Sequence, residues 1–255
     1  MRRREKFVIA SILLSLGLLG VQYVTLEYRY WAVAVLTLVS YLISAWALAD
    51  DLQRHEWVTI VPFPAFYTGA VALFYFLLPE HLLSKLFILV LFCIGMYALY
   101  LTSNIYSVAK GRTIQLLHAA HAIGLLFTLL TSLLFTNTVF SLRLPWFVNG
   151  LAIGLVHFPL VLMSLWSIEL EPRISEKVTG LALLSSVALA ELGLILSFYP
   201  FSVWNQALFV MTFLYIALGL FHNFLRGRLF NKTMTEYSLV AVFLGLVFVV
   251  LFPLK

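Results

Sequence analysis

The residues able to do chemistry in this chain are one acid and four histidines set in long apolar runs. Glu191 is the only acid well inside any run, about thirteen residues from its start. His118 and His121 are three residues apart, His157 follows Gly150 and Gly154, and His222 lies near the end of a later run. A charged group at the centre of a membrane costs roughly 2.5–3.5 kcal/mol on insertion scales, so such residues mark function by default. Histidine adds a group that exchanges protons near neutral pH. At about 1.5 Å of rise per residue, the depths run from His222 and His118 through His121 and His157 to Glu191. That order would make a proton ladder, provided the helices that carry it are neighbours. The plainer reading of each residue is a hydrogen bond between helices. For His157 this is the preferred reading. Pro159 removes a backbone hydrogen bond nearby, and a structural histidine can serve the kinked region.

A metal reading is weaker. His118, His121 and His157 could supply three ligands and Glu191 a fourth. An i, i+3 histidine pair without a further spaced motif has low specificity, and two axial haem ligands would need similar depths. No metal, cofactor or catalytic residue is assigned.

These residues must be positioned by membrane helices. Hydrophobic residues make up 63% of the 255 and charged residues 11%, whereas a soluble domain carries about 25% charged residues. A span needs about 20 mostly apolar residues. The candidates are Phe7–Leu26, Trp31–Ala49, Val58–Leu78, Leu82–Leu101, Thr113–Phe135, Pro145–Ile168, Val178–Tyr199, Trp204–Leu225 and Tyr237–Pro253. They are too long, and alternate too little, for barrel strands. The expected fold is all-α: one polytopic integral membrane bundle of about nine helices over residues 1–255. The third and fourth spans, separated by Pro79, Glu80 and His81, could instead form a hairpin with a re-entrant tip.

Basic residues mark cytoplasmic connectors. With the N-terminus inside, the 16 basic residues divide into 12 inside and 4 outside, the four being Arg29, Lys85, Arg143 and Lys255. The expected topology is N-inside and C-outside. Trp31, Trp46, Trp57, Trp146, Trp166 and Trp204 all fall near span ends, as an interfacial aromatic belt requires. The basic start followed by an apolar run reads as a retained first helix, because Leu18-Leu19-Gly20 offers no small-x-small cleavage site. Cys93 is the only cysteine, which excludes an intramolecular disulfide and a cysteine metal cluster.

Small residues predict the packing faces. Gly150 and Gly154 form a small-xxx-small pair, and Ala182, Ser186, Ala190, Gly193 and Ser197 form a stripe that lets another helix approach. Glu191 adjoins that stripe and is expected at a helix–helix contact. Gln115, His118, His121, Thr128 and Ser132 share one inward face, and Thr212, Tyr215, Gly219, His222 and Arg226 another. Asp50, Asp51, His55 and Glu56 read as a solvated connector, as does the charged stretch from Glu169 to Lys177. No phosphate-binding loop, HExxH, GxSxG or channel-filter motif occurs. No basic stripe with interleaved aromatics lies outside the spans, so no nucleic-acid partner is expected.

The segments GRTIQLLHAAHAIG, SLRLPWFVNG, LSFYPFSVW and LYIALGL…RGRLFNKTMTEY together resemble a family of uncharacterised multi-pass membrane proteins from candidate-phylum bacteria with small genomes. The resemblance covers most of the chain, strongest from Thr102 to Tyr237. It implies a bacterial cytoplasmic (inner) membrane and brings no activity, cofactor or site residue. The preferred expectation is a non-enzymatic subunit or scaffold, with the lipid bilayer, partner membrane proteins or further copies of the chain as its contacts. The alternative is a proton-coupled transporter using Glu191 and the histidines. A membrane-embedded metalloenzyme is third.

Overall fold

In the computed structural model the described residues are 2–50, 52–53, 55–78, 81–109 and 116–251, with the side chains of 26, 82 and 251 excepted. Among them every regular element is helical. The long helices are α1 (Arg3–Val21), α2 (Arg29–Leu48), α4 (Pro62–Tyr75), α5 (Leu82–Val108), α6 (Leu116–Ser141), α7 (Trp146–Glu169), α8 (Glu176–Leu196), α9 (Val203–Leu225) and α10 (Asn231–Leu251). A four-residue helix α3 (Glu56–Thr59) runs into α4 as one apolar stretch, Glu56–Tyr75. Among the described residues eight stretches are long and apolar enough to cross a membrane. The protein is therefore a multi-pass helical membrane protein. The ninth long helix, α1, has 19 residues, of which Arg3, Arg4, Glu5 and Lys6 are charged. That leaves about 22 Å of apolar helix after Lys6.

Local chemistry explains the helix ends. Ser175 and Ser202 cap α8 and α9, their hydroxyls accepting the N–H groups of Val178 at 3.2 Å and Asn205 at 3.3 Å. Pro62 and Pro64 cannot donate backbone hydrogen bonds, so the helix breaks before them and restarts with Pro62 at its first position. Gly227, at φ +65°, follows the last residues of α9 and turns the chain away from the helix.

Contacts group the chain into two compact units, Met1–Phe127 and Thr128–Lys255, with the boundary inside α6. In the first unit α2 packs on α4, and α1 on α2 and α5. Small polar residues form its seam. Ser40 Oγ lies 2.8 Å from Thr68 Oγ1, and Ser44 Oγ 3.1 Å from the Tyr100 hydroxyl. Ser44 and Thr68 also donate to the Ser40 and Pro64 carbonyls one turn back in their own helices, so neither hydroxyl need face lipid. The Tyr106 hydroxyl donates to the Ala120 carbonyl at 2.8 Å and ties α5 to the first turns of α6. In the second unit α7 and α8 make the most extensive pairing, with α8 on α9 and α9 on α10.

Lys6 donates to Asp50 at 2.9 Å, joining the start of α1 to the end of α2. The Lys6 hydrogen bond and charge hold the Asp50 carboxyl below its ordinary value of 3.8, and Arg3 adds to the effect. The pair stabilises the fold above that value. The stabilisation is lost as pH falls through the lowered native value. Asp50→Asn is expected to lower the melting midpoint slightly at pH 7 and to melt with the wild type well below pH 3.8.

Candidate functional site

The residues of the expected ladder divide between the two units, His118 and His121 in the first and His157, Glu191 and His222 in the second. His157 is fully buried on α7. Its Nδ1 lies 2.7 Å from the Ile153 carbonyl and its Nε2 2.6 Å from Ser132 Oγ on α6. A carbonyl only accepts, so Nδ1 carries the proton and Nε2 accepts from the serine. Both ring nitrogens are then occupied. Ile153 is the residue four before His157, so the imidazole is tied to its own helix and clamps α6 to α7 through Ser132. A double-mutant cycle of His157→Leu and Ser132→Ala is expected to give a coupling of about 1 kcal/mol, read from unfolding in detergent.

His222 is buried on α9, its Nε2 3.1 Å from Ser164 Oγ on α7. His121 is half-buried with its ring centroid 5.6 Å from that of Tyr106, and His118 is exposed. Gln115, expected on the same face, lies outside the described residues, as do Asp51 and the Pro79–Glu80 connector. Among the described residues no three histidine, cysteine or acidic side chains come close enough to hold a metal ion.

Glu191 is exposed. The expectation had put it at a helix–helix contact. It adjoins Ala190, but one residue turns about 100° round a helix. Ala190 and Gly193 face α7, and Glu191 points away with Leu184, Val187 and Ile195. It makes no hydrogen bond or ion pair among the described residues. It lies fifteen positions into α8 and five before its end. The carboxyl therefore stands about 22 Å along the helix on its exposed side.

The small-residue faces meet. A Cβ on Gly150 would lie 3.0 Å from the Ala190 carbonyl oxygen, and one on Gly154 3.0 Å from the Ala190 Cβ. A Cβ on Gly193 would lie 2.5 Å from Ile153 Cδ1. Ser186 Oγ donates to the Gly154 carbonyl at 2.7 Å. Glycine lets the two backbones approach closely enough for that bond.

No protein-family model, curated protein or solved structure matches the chain.

The structure also displaces two expectations. Glu56, read as part of a solvated connector, is fully buried at the start of α3. Its Oε2 accepts the Gln53 N–H at 2.7 Å and the Ser107 hydroxyl at 3.0 Å. The helix begins at Glu56 itself, which turns the carboxyl back onto the preceding turn and against the end of α5. Trp166, read as a belt residue, is buried, its indole N–H donating to the Glu171 carbonyl at 2.9 Å. With that donor satisfied inside the protein, the ring need not seek the headgroup layer. The other five tryptophans are exposed.

Sequence reasoning missed the polar C-terminal half of α6. Thr131, Thr136 and Asn137 are buried, and Thr131 Oγ1, Thr136 Oγ1 and Asn137 Nδ2 have no hydrogen-bond partner among the described residues. The cue was present in the run Thr131-Ser132 and Thr136-Asn137-Thr138, which is polar for a span.

Proposed function

We propose that this protein is a non-enzymatic subunit of a bacterial cytoplasmic-membrane complex, oriented N-inside, and that the outer face of α8 docks a partner helix. The observation behind this reading is the position of Glu191. Its carboxyl is turned outward among Leu184, Val187 and Ile195 and is not used within the described chain. His157 and His222 are by contrast bonded to Ser132 and Ser164. An intramembrane carboxyl facing hydrocarbon is costly, and a hydroxyl, amide or basic group on a second helix would relieve that cost. The 12-to-4 bias of basic residues supports the orientation.

The test is purification of the full chain from native membranes in mild detergent, with mass spectrometry of the intact assembly. A stoichiometric partner is expected with the wild type and with Glu191→Gln, which keeps hydrogen-bonding capacity. Glu191→Leu should release it. A lone chain in the wild type, or partner retention unchanged by Glu191→Leu, would remove this reading.

The second reading is transport of a proton or small polar solute, and the polar strip on α6 favours it. Thr131, Thr136 and Asn137 would line such a path, beside the Ser132–His157 pair. Asn137→Leu should then abolish flux in reconstituted vesicles while the chain stays folded, and normal flux in that variant would exclude the strip as the path.

A further inference from the structure

Arg29 and Lys85 are two of the four basic residues that the charge bias leaves outside. Far apart in sequence, they line one small cavity of about 60 Å³ with Gln22, Tyr75, Phe76 and Leu78. All belong to the first unit, where α1 and α4 end and α2 and α5 begin. The lining is mostly polar and, among the described residues, contains no acid.

Three observations point to an anion. The Arg29 guanidinium lies 4.3 Å from the centroid of the Phe76 ring. This cation–π contact holds the guanidinium against the ring without using its N–H donors. Its Nε is buried without a hydrogen-bond partner among the described residues. Finally, Arg29 is the first residue of α2, and Lys85 lies in the first turn of α5. The start of a helix carries the positive end of its dipole, where a cation is unfavourable and an anion favourable. Two helices begin here and each brings a cation, so the local field is positive four times over. Tyr75 supports the arrangement, its hydroxyl reaching the Lys85 carbonyl at 3.4 Å.

We propose that this cavity binds a phosphate group. Arg29 and Lys85 supply charge-assisted donors and Gln22 a neutral amide, the donor set that suits a tetrahedral oxyanion at a helix start. A single water needs roughly 10–15 Å³ of such space, so the cavity takes one small anionic group rather than a whole solute. The phosphate comes either from an anionic phospholipid headgroup in the outer leaflet or from free phosphate in the outer aqueous phase. The inference is independent of the role given to Glu191.

The experiment uses the full chain, delipidated in mild detergent. Native mass spectrometry and the melting midpoint are followed on adding phosphatidylglycerol, phosphatidylcholine or inorganic phosphate. One phosphatidylglycerol per chain is expected, bound about tenfold more tightly than phosphatidylcholine. If inorganic phosphate raises the midpoint and displaces phosphatidylglycerol, the source is the solute; a response to phosphatidylglycerol alone assigns the lipid. The double variant Arg29→Gln with Lys85→Gln should lose about tenfold in affinity. Lys85→Gln alone keeps the Arg29–Phe76 stack, so it serves if the double variant does not fold, and it should lose several-fold. Binding of neither phosphate source by the wild type, or unchanged binding by folded Lys85→Gln, would overturn the proposal.

Discussion

Gly154→Leu is expected to force α7 and α8 apart and to destabilise the protein by about 3 kcal/mol. The first added carbon already meets the Ala190 Cβ at 3.0 Å and the Ser186 carbonyl oxygen at 3.4 Å. Three further carbons have no space without moving a backbone. The same shift breaks the 2.7 Å bond from Ser186 to the Gly154 carbonyl, leaving a carbonyl and a hydroxyl to be satisfied where water is scarce. Gly154→Ala should cost much less, because it needs only a few tenths of an ångström. Gly180→Leu is the control: nothing lies within 4 Å of a Cβ there, so the melt should barely change. Thermal melts of the three variants in one detergent decide the matter. Equal loss from Gly154→Leu and Gly180→Leu would mean that bulk on any helix is harmful and that the α7–α8 contact is not special.

Glu56→Ala should cost about 3 kcal/mol, a large effect for a residue in a charged connector. It removes the acceptor of the Gln53 N–H and of the half-buried Ser107 hydroxyl together. The start of α3 then loses its hold on the end of α5. Glu56→Gln keeps a side-chain oxygen in the same place and should cost nearer 1 kcal/mol. Ser107→Ala removes only one of the two donors and should fall below Glu56→Ala. The check is chemical unfolding of the purified chain, with proteolysis near residues 52–59 as a local readout. Equal, small losses from alanine and glutamine would show that the carboxyl holds nothing together.

The histidines and acids show where sequence reading stops. The placement of Glu191, His157 and His222 within spans follows from hydropathy, since the bilayer needs a continuous apolar run. Which way each side chain points does not. Glu191 and Ala190 are neighbours in sequence, yet one faces solvent or lipid and the other packs on α7, because a helix rotates by about 100° per residue. The small-residue stripe on α8 is legible, but its edge is not sharp enough to say on which side of it Glu191 falls. Glu56 was obscured differently. The polar residues around it resemble any solvated loop, and only the pairing of α3 with the end of α5, 51 residues later, buries it.

By itself the sequence determined that this is an all-helical, multi-pass membrane protein, because length and apolar content decide whether a segment leaves water and both are local quantities. It also determined most helix limits to within a few residues, with proline, serine and glycine at the ends. Tertiary structure decided the rest: His157 tied to Ile153 and Ser132, Glu191 left outside, Glu56 enclosed, and Arg29 brought to Lys85. Each of these depends on which helices are neighbours and how they are rotated. In lipid, where an apolar face gains little by turning inward, hydropathy does not specify that choice.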